Sequence, residues 1–195
     1  MTSTSGAATT GDPQPIDLGR PVAGDVVALI LADHVRFEAL LRQLRDSSSD
    51  RDAVRHALAT LHVAHAEAEE RHVYPTLRSE HAIGAHAAEH GEEEHAEGHQ
   101  ALLDVLELTE VTGEEFDEAV EELSRVLGHH LAEEELTILN PARAGVPEQA
   151  RLELGLAFVA ERQAQIDADC GRVERVRDLV ARAARNGLLT DDGDS

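Results

Sequence analysis

The spacing of apolar side chains predicts a chain built from α-helices. From residue 25 onwards apolar residues recur at intervals of three and four, which places them on one face of a helix, and the alternation typical of β-strands is absent. Polar runs, glycines and prolines separate the periodic segments. Helices are predicted over residues 25–46, 51–74, 79–108 and 113–140, followed by a helical region over residues 147–186.

The same pattern divides the chain into four parts. Residues 1–24 are rich in Thr, Ser, Gly and Pro, and they predict a disordered leader. Residues 25–141 contain the four helices, and residues 142–186 form a C-terminal helical extension. Residues 187–195 are expected to be a disordered tail. We expect the extension to pack on the four helices or to form a homodimer contact, and it shows no candidate chemistry.

Histidines change this picture of a plain helical protein. The chain has twelve, all between His34 and His130, and several stand four residues from a carboxylate or from another histidine. The two clearest segments run from His65 to Glu69 and from His130 to Glu134. Side chains at i and i+4 lie about 6 Å apart on one helix face, so each pair can offer nitrogen and oxygen to one metal ion. Such ligands without thiolate suit iron, manganese or zinc.

Counting residues from the turns indicates that the candidate ligands share one level. His34 lies 13 residues before Ser47 and His65 lies 15 after Asp50, while His95 and His130 each lie 17 from the turn between the third and fourth helices. In antiparallel hairpins equal counts give equal heights, within a turn of about 5.4 Å. The predicted ligand layer consists of His34, His65, Glu69, His95, His130 and Glu134.

This layer is difficult to explain without a cation. The six residues lie on apolar helix faces, and burying Glu69 and Glu134 without partners would cost roughly several kcal/mol each. A bound metal removes that cost. The sequence therefore predicts a metal site in the core.

Composition and charge narrow the partners. The chain has 17 basic residues, all arginine, against 39 acidic residues, giving a formal net charge of −22. Such a surface repels nucleic acid and anionic membranes. Cys170 is the single cysteine, the first ten residues do not have a signal-peptide pattern, and no apolar run approaches the roughly 20 residues that span a bilayer. We expect a soluble, cytoplasmic protein.

Four short motifs together resemble the hemerythrin-like, or HHE cation-binding, family over about residues 25–141. They are Asp33-His34, His65-x-x-x-Glu69-Glu70 followed by Tyr74-Pro75, Glu94-His95, and His130-x-x-x-Glu134-Glu135. The resemblance implies an antiparallel up-down four-helix bundle that holds two non-haem iron ions bridged by oxygen. It also implies that His34 and His65 bind one iron, that His95 and His130 bind the other, and that Glu69 and Glu134 bridge them.

The ligand set departs from that of the oxygen-carrying members of the family. Those members use two histidines from the third helix and a carboxylate five residues after the last histidine. His99 follows His95 by four residues, and His129 precedes Glu134 by five, so both are alternative ligands. His90 is a rival to His95.

The remaining polar candidates receive plainer interpretations. His56, His62, His81 and His86 are expected to face solvent or helix ends, and Glu92-Glu93-Glu94 to form a solvated face. We expect Tyr74 to pack beside Pro75. His72 shares the stripe of Glu69 and is a candidate to support the ligands.

Several functions are compatible with this pattern. The first hypothesis is a protein that binds or senses O₂ or a related small oxidant, such as peroxide or NO, or that buffers iron. The second is a catalase-like or NO-handling enzyme using the same centre. A ferritin-like bundle is the structural rival, because Glu69-x-x-His72 and Glu92-x-x-His95 match its motif. The last alternative is a metal-free helical interaction protein.

Overall fold

The computed structural model describes residues 16–189, and within that range it contains helices and no β-strand. The prediction of an all-α protein is confirmed. Two short π-helical turns interrupt the α-helices, at Glu69–Val73 and Glu135–Leu139. The α-helices are α1 (Val26–Arg45), α2 (Arg51–Ala68), α3 (Tyr74–Ser79), α4 (Ala85–Glu107), α5 (Glu114–Glu134), α6 (Asn140–Gly145), α7 (Glu148–Asp167) and α8 (Val173–Arg185).

Four of the long helices, α1, α2, α4 and α5, surround the core. Helix α1 packs against α2 and α5, and α4 packs against the same two helices, so the four contacts close a ring. The Asp25 carboxylate accepts a hydrogen bond from the Val27 N–H and caps α1, and Asp50 caps α2 through the Ala53 N–H. Two apolar clusters fill the interior, one containing Phe37 and the other containing Phe158.

Both π turns lie directly before a proline. The Tyr74 N–H donates to the Glu69 carbonyl, and the Asn140 N–H donates to the Glu135 carbonyl, five residues back in each case. Pro75 and Pro141 follow immediately. The prediction that the helices end at these prolines was wrong. The wider turn moves aside the carbonyl that a proline ring would meet in an α-helix, so the chain continues helically to Ser79 and to Gly145.

The N-terminal segment differs from the predicted leader over residues 16–24. Ile16 and Leu18 pack against the cluster that contains Phe37, and the Leu18 and Gly19 carbonyls accept hydrogen bonds from Arg162 of α7. Specific contacts therefore order a stretch whose composition predicted disorder. The rest of the predicted leader, residues 1–15, and residues 190–195 of the predicted tail lie outside the described residues.

The C-terminal extension covers the outside of the four-helix ring. Helix α7 packs on α1 and α2, and α8 packs on α4. Phe158 of α7 is fully buried, and Val176 of α8 belongs to the cluster that contains Phe37. The extension thus supplies side chains to the same core as the four long helices. None of the helices within residues 16–189 is long and apolar enough to cross a membrane.

Glycines on α4 allow close packing against aromatic rings. The helix begins at Ala85 and not near Ser79, because residues 80–84 form a turn in which His81 adopts a positive φ of 57°. Gly84, Gly91 and Gly98 recur at intervals of seven residues. Gly91 faces the Tyr74 ring, and Gly98 faces the His62 ring. A Cβ atom at Gly98 would lie 2.7 Å from His62 Nε2 and 3.2 Å from a Leu127 methyl group.

We predict that Gly98→Ala destabilises the protein. The added methyl overpacks a site where His62 is enclosed by other rings, at a cost of about 1–3 kcal/mol, against a gain of about 1 kcal/mol in helix propensity. Gly128→Ala, on α5 with no atom within 4 Å of the added Cβ, is the control and should stabilise. Urea unfolding followed by circular dichroism measures both, and a Gly98→Ala variant as stable as Gly128→Ala would contradict the prediction.

Candidate metal centre

Two groups of metal-binding side chains lie side by side in the core. His34, His65 and Glu134 form the first group, and Glu69, His95 and His130 form the second. In each group the candidate ligand atoms lie within 4.8 Å of one another, and all six side chains are buried. The structure therefore brings together the six residues that the sequence placed in one layer. They come from α1, α2, α4 and α5 and from the first residue of the first π turn.

Glu69 connects the two groups. Its Oε2 atom lies 3.1 Å from His65 Nε2 in the first group and 3.2 Å from His95 Nε2 in the second. Glu134 lies closer to one side, with its Oε2 atom 3.1 Å from His34 Nε2. One carboxylate within reach of imidazoles from both groups is the arrangement that two neighbouring cations would share.

Each inward histidine is held from outside by a second carboxylate. The His34, His65, His95 and His130 Nδ1 atoms lie 3.2, 3.4, 3.0 and 3.1 Å from carboxylate oxygens of Glu135, Asp33, Glu70 and Glu94, respectively. An ionised carboxylate only accepts hydrogen bonds, so each Nδ1 carries the proton and donates it. In the neutral imidazole this arrangement places the proton on Nδ1, so Nε2 is the atom that would bind a metal.

The repeated His-x-x-x-Glu-Glu motif explains two of these outer contacts. Glu70 follows Glu69 in the first π turn and holds His95, and Glu135 follows Glu134 at the second π turn and holds His34. In each pair the first glutamate points into the layer and the second supports a histidine of another helix.

Glu94 corrects the sequence interpretation. It was expected to belong to a solvated face, but it is buried, with 5% of its surface exposed, and it accepts a hydrogen bond from His130. Glu94 is next to the inward histidine His95 in the sequence, but its carboxylate accepts a hydrogen bond from a different inward histidine, His130. The sequence signal was therefore present, as an acidic residue next to a candidate ligand.

Several buried nitrogen and oxygen atoms of the centre make no hydrogen bond within the described part of the chain. They are His65 Nε2, His130 Nε2 and both carboxylate oxygens of Glu69. Buried polar atoms without partners are rare, because each costs roughly 1–3 kcal/mol. Cations ligated by these atoms would remove that cost, so the residues fit a metal pair held by nitrogen and oxygen.

Charge is concentrated on the same atoms. Burial alone would raise the pKa of Glu69, but His65 and His95 bring this pKa well below its usual range. Burial alone would lower the pKa of both histidines, whereas Glu69 with Asp33 raises that of His65 to about 10, and Glu69 with Glu70 raises that of His95 to about 10. Burial, opposed by Glu94, lowers the pKa of His130. The centre thus holds ionised carboxylates that attract positive charge.

Tyr74 lines the centre, which goes beyond the packing role that the sequence suggested. Its hydroxyl donates to Glu134 Oε1 at 3.3 Å and lies 3.5 Å from His95 Nε2, and its ring stacks on the His95 ring. Burial, together with Glu134 and Glu69, raises its pKa well above the usual value. The phenol therefore keeps its proton next to both groups.

His62 and His99 form a second buried pair beneath the centre. The expectation that His62 faces solvent was wrong, since it is 1% exposed and its ring centroid lies 4.8 Å from that of His99. Neither Nε2 has a hydrogen-bond partner among residues 16–189, and neither histidine belongs to the two metal-binding groups. Burial followed by the charge of neighbouring His95 lowers the pKa of His99 to about 3.

The other candidate histidines lie outside the two groups. His90 is half-buried and His129 is exposed, and both approach the outside of Glu94, at 3.8 and 3.7 Å. His72 pairs with Glu161 of α7 at 3.8 Å and so does not support the ligands, which also removes one of the two ferritin-like motifs. His56, His81 and His86 are exposed, as predicted.

Two grooves lead from the surface to the outer carboxylates. A cavity of about 360 Å³ between α4, α8 and the first π turn is lined by Glu70 and His99, and one of about 420 Å³ between α1 and α5 is lined by Glu135. A larger cavity of about 820 Å³ lies along the start of α5 and is lined by none of the site residues. The centre is thus buried but lies one side chain away from solvent on two sides.

Comparison with known proteins identifies one family. A family model described as the hemerythrin HHE cation binding domain matches residues 25–141. No significant match was found among curated proteins or among solved structures.

We predict that His99 contributes to acid destabilisation of the metal-free protein. A histidine that stays neutral in the fold but binds a proton when unfolded costs about 1.4 kcal/mol of stability for each pH unit below about 6.5. The folded protein therefore loses stability as the pH falls from about 6.5 to the folded pKa of about 3, below which His99 also binds a proton in the fold. In His99→Leu, the loss between about pH 7 and pH 5 should shrink by about 2 kcal/mol.

The measurement is urea unfolding of chelator-treated protein at both pH values. His86→Leu is the control, because His86 lies on the same helix with its side chain in solvent. Equal pH dependence in His99→Leu and in the unsubstituted protein would refute the prediction.

Proposed function

Because this chain belongs to the hemerythrin HHE cation-binding family over residues 25–141, we propose that it holds two non-haem iron ions, as an oxo-bridged pair, and binds or senses O₂ or a related small oxidant. In this proposal the four long helices form an antiparallel up-down bundle around the ions. The observation that carries it is the pair of buried three-residue groups joined through Glu69.

The proposed ligands divide between the two ions. His34, His65 and Glu134 would hold one ion, His95 and His130 the other, and Glu69 would contact both. Nitrogen and oxygen donors also suit manganese and zinc, so it is membership of the family that favours iron. With four protein ligands for the first ion and three for the second, counting Glu69 for both, coordination positions would stay open for a small ligand.

Iron in such a pair supplies reversible binding of small diatomic molecules or peroxide, together with electron exchange. The protein supplies the surroundings. The two apolar clusters border the layer and exclude water, and the outer carboxylates keep the four histidines aligned. Tyr74 holds a proton at its hydroxyl beside Glu134, where it can donate a hydrogen bond to a bound oxidant.

Tyr74 also favours a second candidate function, the disproportionation of two molecules of peroxide to O₂ and two of water. That reaction is assisted by a hydrogen-bond donor that orients peroxide inside a buried site. The Tyr74 hydroxyl lies beside a residue of each group, Glu134 and His95, and is the one phenol in the chain. Handling of NO at the same centre is a variant of this candidate.

We predict two iron ions for each chain after anaerobic loading and desalting, measured by elemental analysis. His95→Ala should retain about one ion or fewer, because it removes a ligand of the second group and a contact of the shared Glu69. His90→Ala is the matched control on the same helix, since His90 lies outside both groups, and it should retain two. Wild-type protein without iron, or equal iron content in both variants, would exclude the proposed centre.

We predict that air changes the near-ultraviolet spectrum of the iron-loaded protein, and that removing O₂ reverses this change. Oxygen binding requires reversibility, whereas steady release of O₂ from added peroxide would favour the enzymatic candidate. Tyr74→Phe removes only the hydroxyl. If the enzymatic candidate is correct, this variant should release O₂ from peroxide more slowly while its iron content stays nearly the same. If air produces no spectral change in iron-loaded protein, O₂ binding is ruled out.

A further inference from the structure

Arg162 is the largest fully buried side chain in the described part of the structure, and it lies outside the helices that supply the ligands. It belongs to α7 of the C-terminal extension and is 1% exposed. A buried guanidinium is costly unless it is paired and hydrogen-bonded. Its contacts therefore show what the extension contributes to the core.

The guanidinium makes a bidentate ion pair with Asp33 of α1. Arg162 Nε donates to Asp33 Oδ2 at 2.6 Å, and Nη2 donates to Oδ1 at 2.9 Å. The remaining donors reach the Gly19 carbonyl at 3.0 Å and the Leu18 carbonyl at 2.6 Å. Because both edges of the guanidinium are held, the plane and position of the Asp33 carboxylate are fixed.

Asp33 passes this constraint to the first metal-binding group. The Oδ2 atom that accepts from Arg162 also lies 3.4 Å from His65 Nδ1, and His65 is buried with its Nε2 directed at Glu69. A hydrogen bond to Nδ1 sets the tautomer and the rotation of a ligating histidine. Among residues 16–189, Asp33 is the outer carboxylate that accepts hydrogen bonds from an arginine of the extension.

We propose that Arg162 is a positioning residue for the metal centre, acting through Asp33 on His65. This inference rests on the proposed function, since it treats His65 as a ligand. The extension then contributes to the metal site, because Arg162 of α7 holds Asp33 and Asp33 holds His65. Loss of the Arg162 guanidinium removes the bidentate contact that fixes the carboxylate. Asp33 then keeps one cationic partner, Arg36, whose partly exposed Nη1 donates to Oδ1 at 3.2 Å and does not hold Oδ2, the oxygen that faces His65.

A second ion pair between α7 and the start of α1 provides the matched control. Arg151 Nε donates to Asp25 Oδ2 at 2.7 Å, and Arg151 also donates to the Val146 carbonyl. This pair joins the same two elements but touches none of the six ligands. A variant of Arg151 therefore reports the cost of loosening α7 alone.

The experiment compares Arg162→Gln, Arg162→Lys and Arg151→Gln with the unsubstituted protein. Chelator-treated samples are titrated anaerobically with Co²⁺, whose visible bands report the number and strength of bound ions, and apo stability is measured by thermal unfolding. Arg162→Gln should weaken binding of one Co²⁺ by about 10-fold to 100-fold, the range for lost outer partners of metal-bound histidines. Arg162→Lys should recover part of this loss, and Arg151→Gln should bind Co²⁺ like the unsubstituted protein.

A metal-free measurement separates this inference from the proposed function. Nitrogen-15 and proton spectra of the His65 ring report the Nδ1 hydrogen bond to Asp33 without any ion present. Arg162→Gln should shift the His65 signals, whereas Arg151→Gln should leave them in place. If the unsubstituted protein binds no Co²⁺, the proposed metal centre fails, and the ring signals still test whether Arg162 positions His65.

Two outcomes would overturn the inference. One is unchanged Co²⁺ affinity and unchanged His65 signals in Arg162→Gln. The other is an equal loss of affinity in Arg151→Gln, which would mean that α7 acts only by its packing. If Arg162→Gln does not fold, it is made together with Asp33→Asn and compared with Asp33→Asn alone, because removing both charges of the pair leaves no unpaired partner in the core. Since Arg162 acts through Asp33, the added Arg162→Gln change should cause no further loss of Co²⁺ affinity and no further shift, and a further loss of about 10-fold or more would overturn the inference.

Discussion

The structure depends on the burial of ionised carboxylates in a layer that lacks enough hydrogen-bond donors for them. Glu69 is fully buried, and neither of its oxygens has a hydrogen-bond partner within residues 16–189. His65 and His95 offset the free energy lost by taking this carboxylate out of water, since its pKa lies well below the usual range. A cation bound by the two groups would take over that role, so the stability of the fold and the binding of a cation involve the same side chains.

The layer could be predicted from the sequence because it rests on local regularities. The spacing of four residues places His65 with Glu69 and His130 with Glu134, and residue counts from the turns bring four helices to one level. Both rules use distances along the chain. They found all six residues that the structure groups together, although metal binding by these residues stays a prediction.

What the sequence did not predict depends on contacts between distant residues. Glu94 supports His130 from another helix, and Arg162 reaches Asp33 from 129 positions away, so no short motif pairs either residue with its partner. The interior position of His62 depends on the space at Gly98. At Pro75 and Pro141 the predicted helix ends came too early, because a π turn removes the steric conflict that ends an α-helix at proline.

The placement of α7 has a consequence for dissecting this protein. The family match ends at residue 141, but two later residues are part of the core. Phe158 is fully buried in it, and Arg162 donates hydrogen bonds to Leu18, Gly19 and Asp33. A truncated fragment with the limits of the family match would expose the apolar surface that α7 covers, and Asp33 would lose its buried partner Arg162. The smallest autonomous unit of this chain is therefore larger than its recognisable domain, and recombinant work should be planned on the longer boundaries.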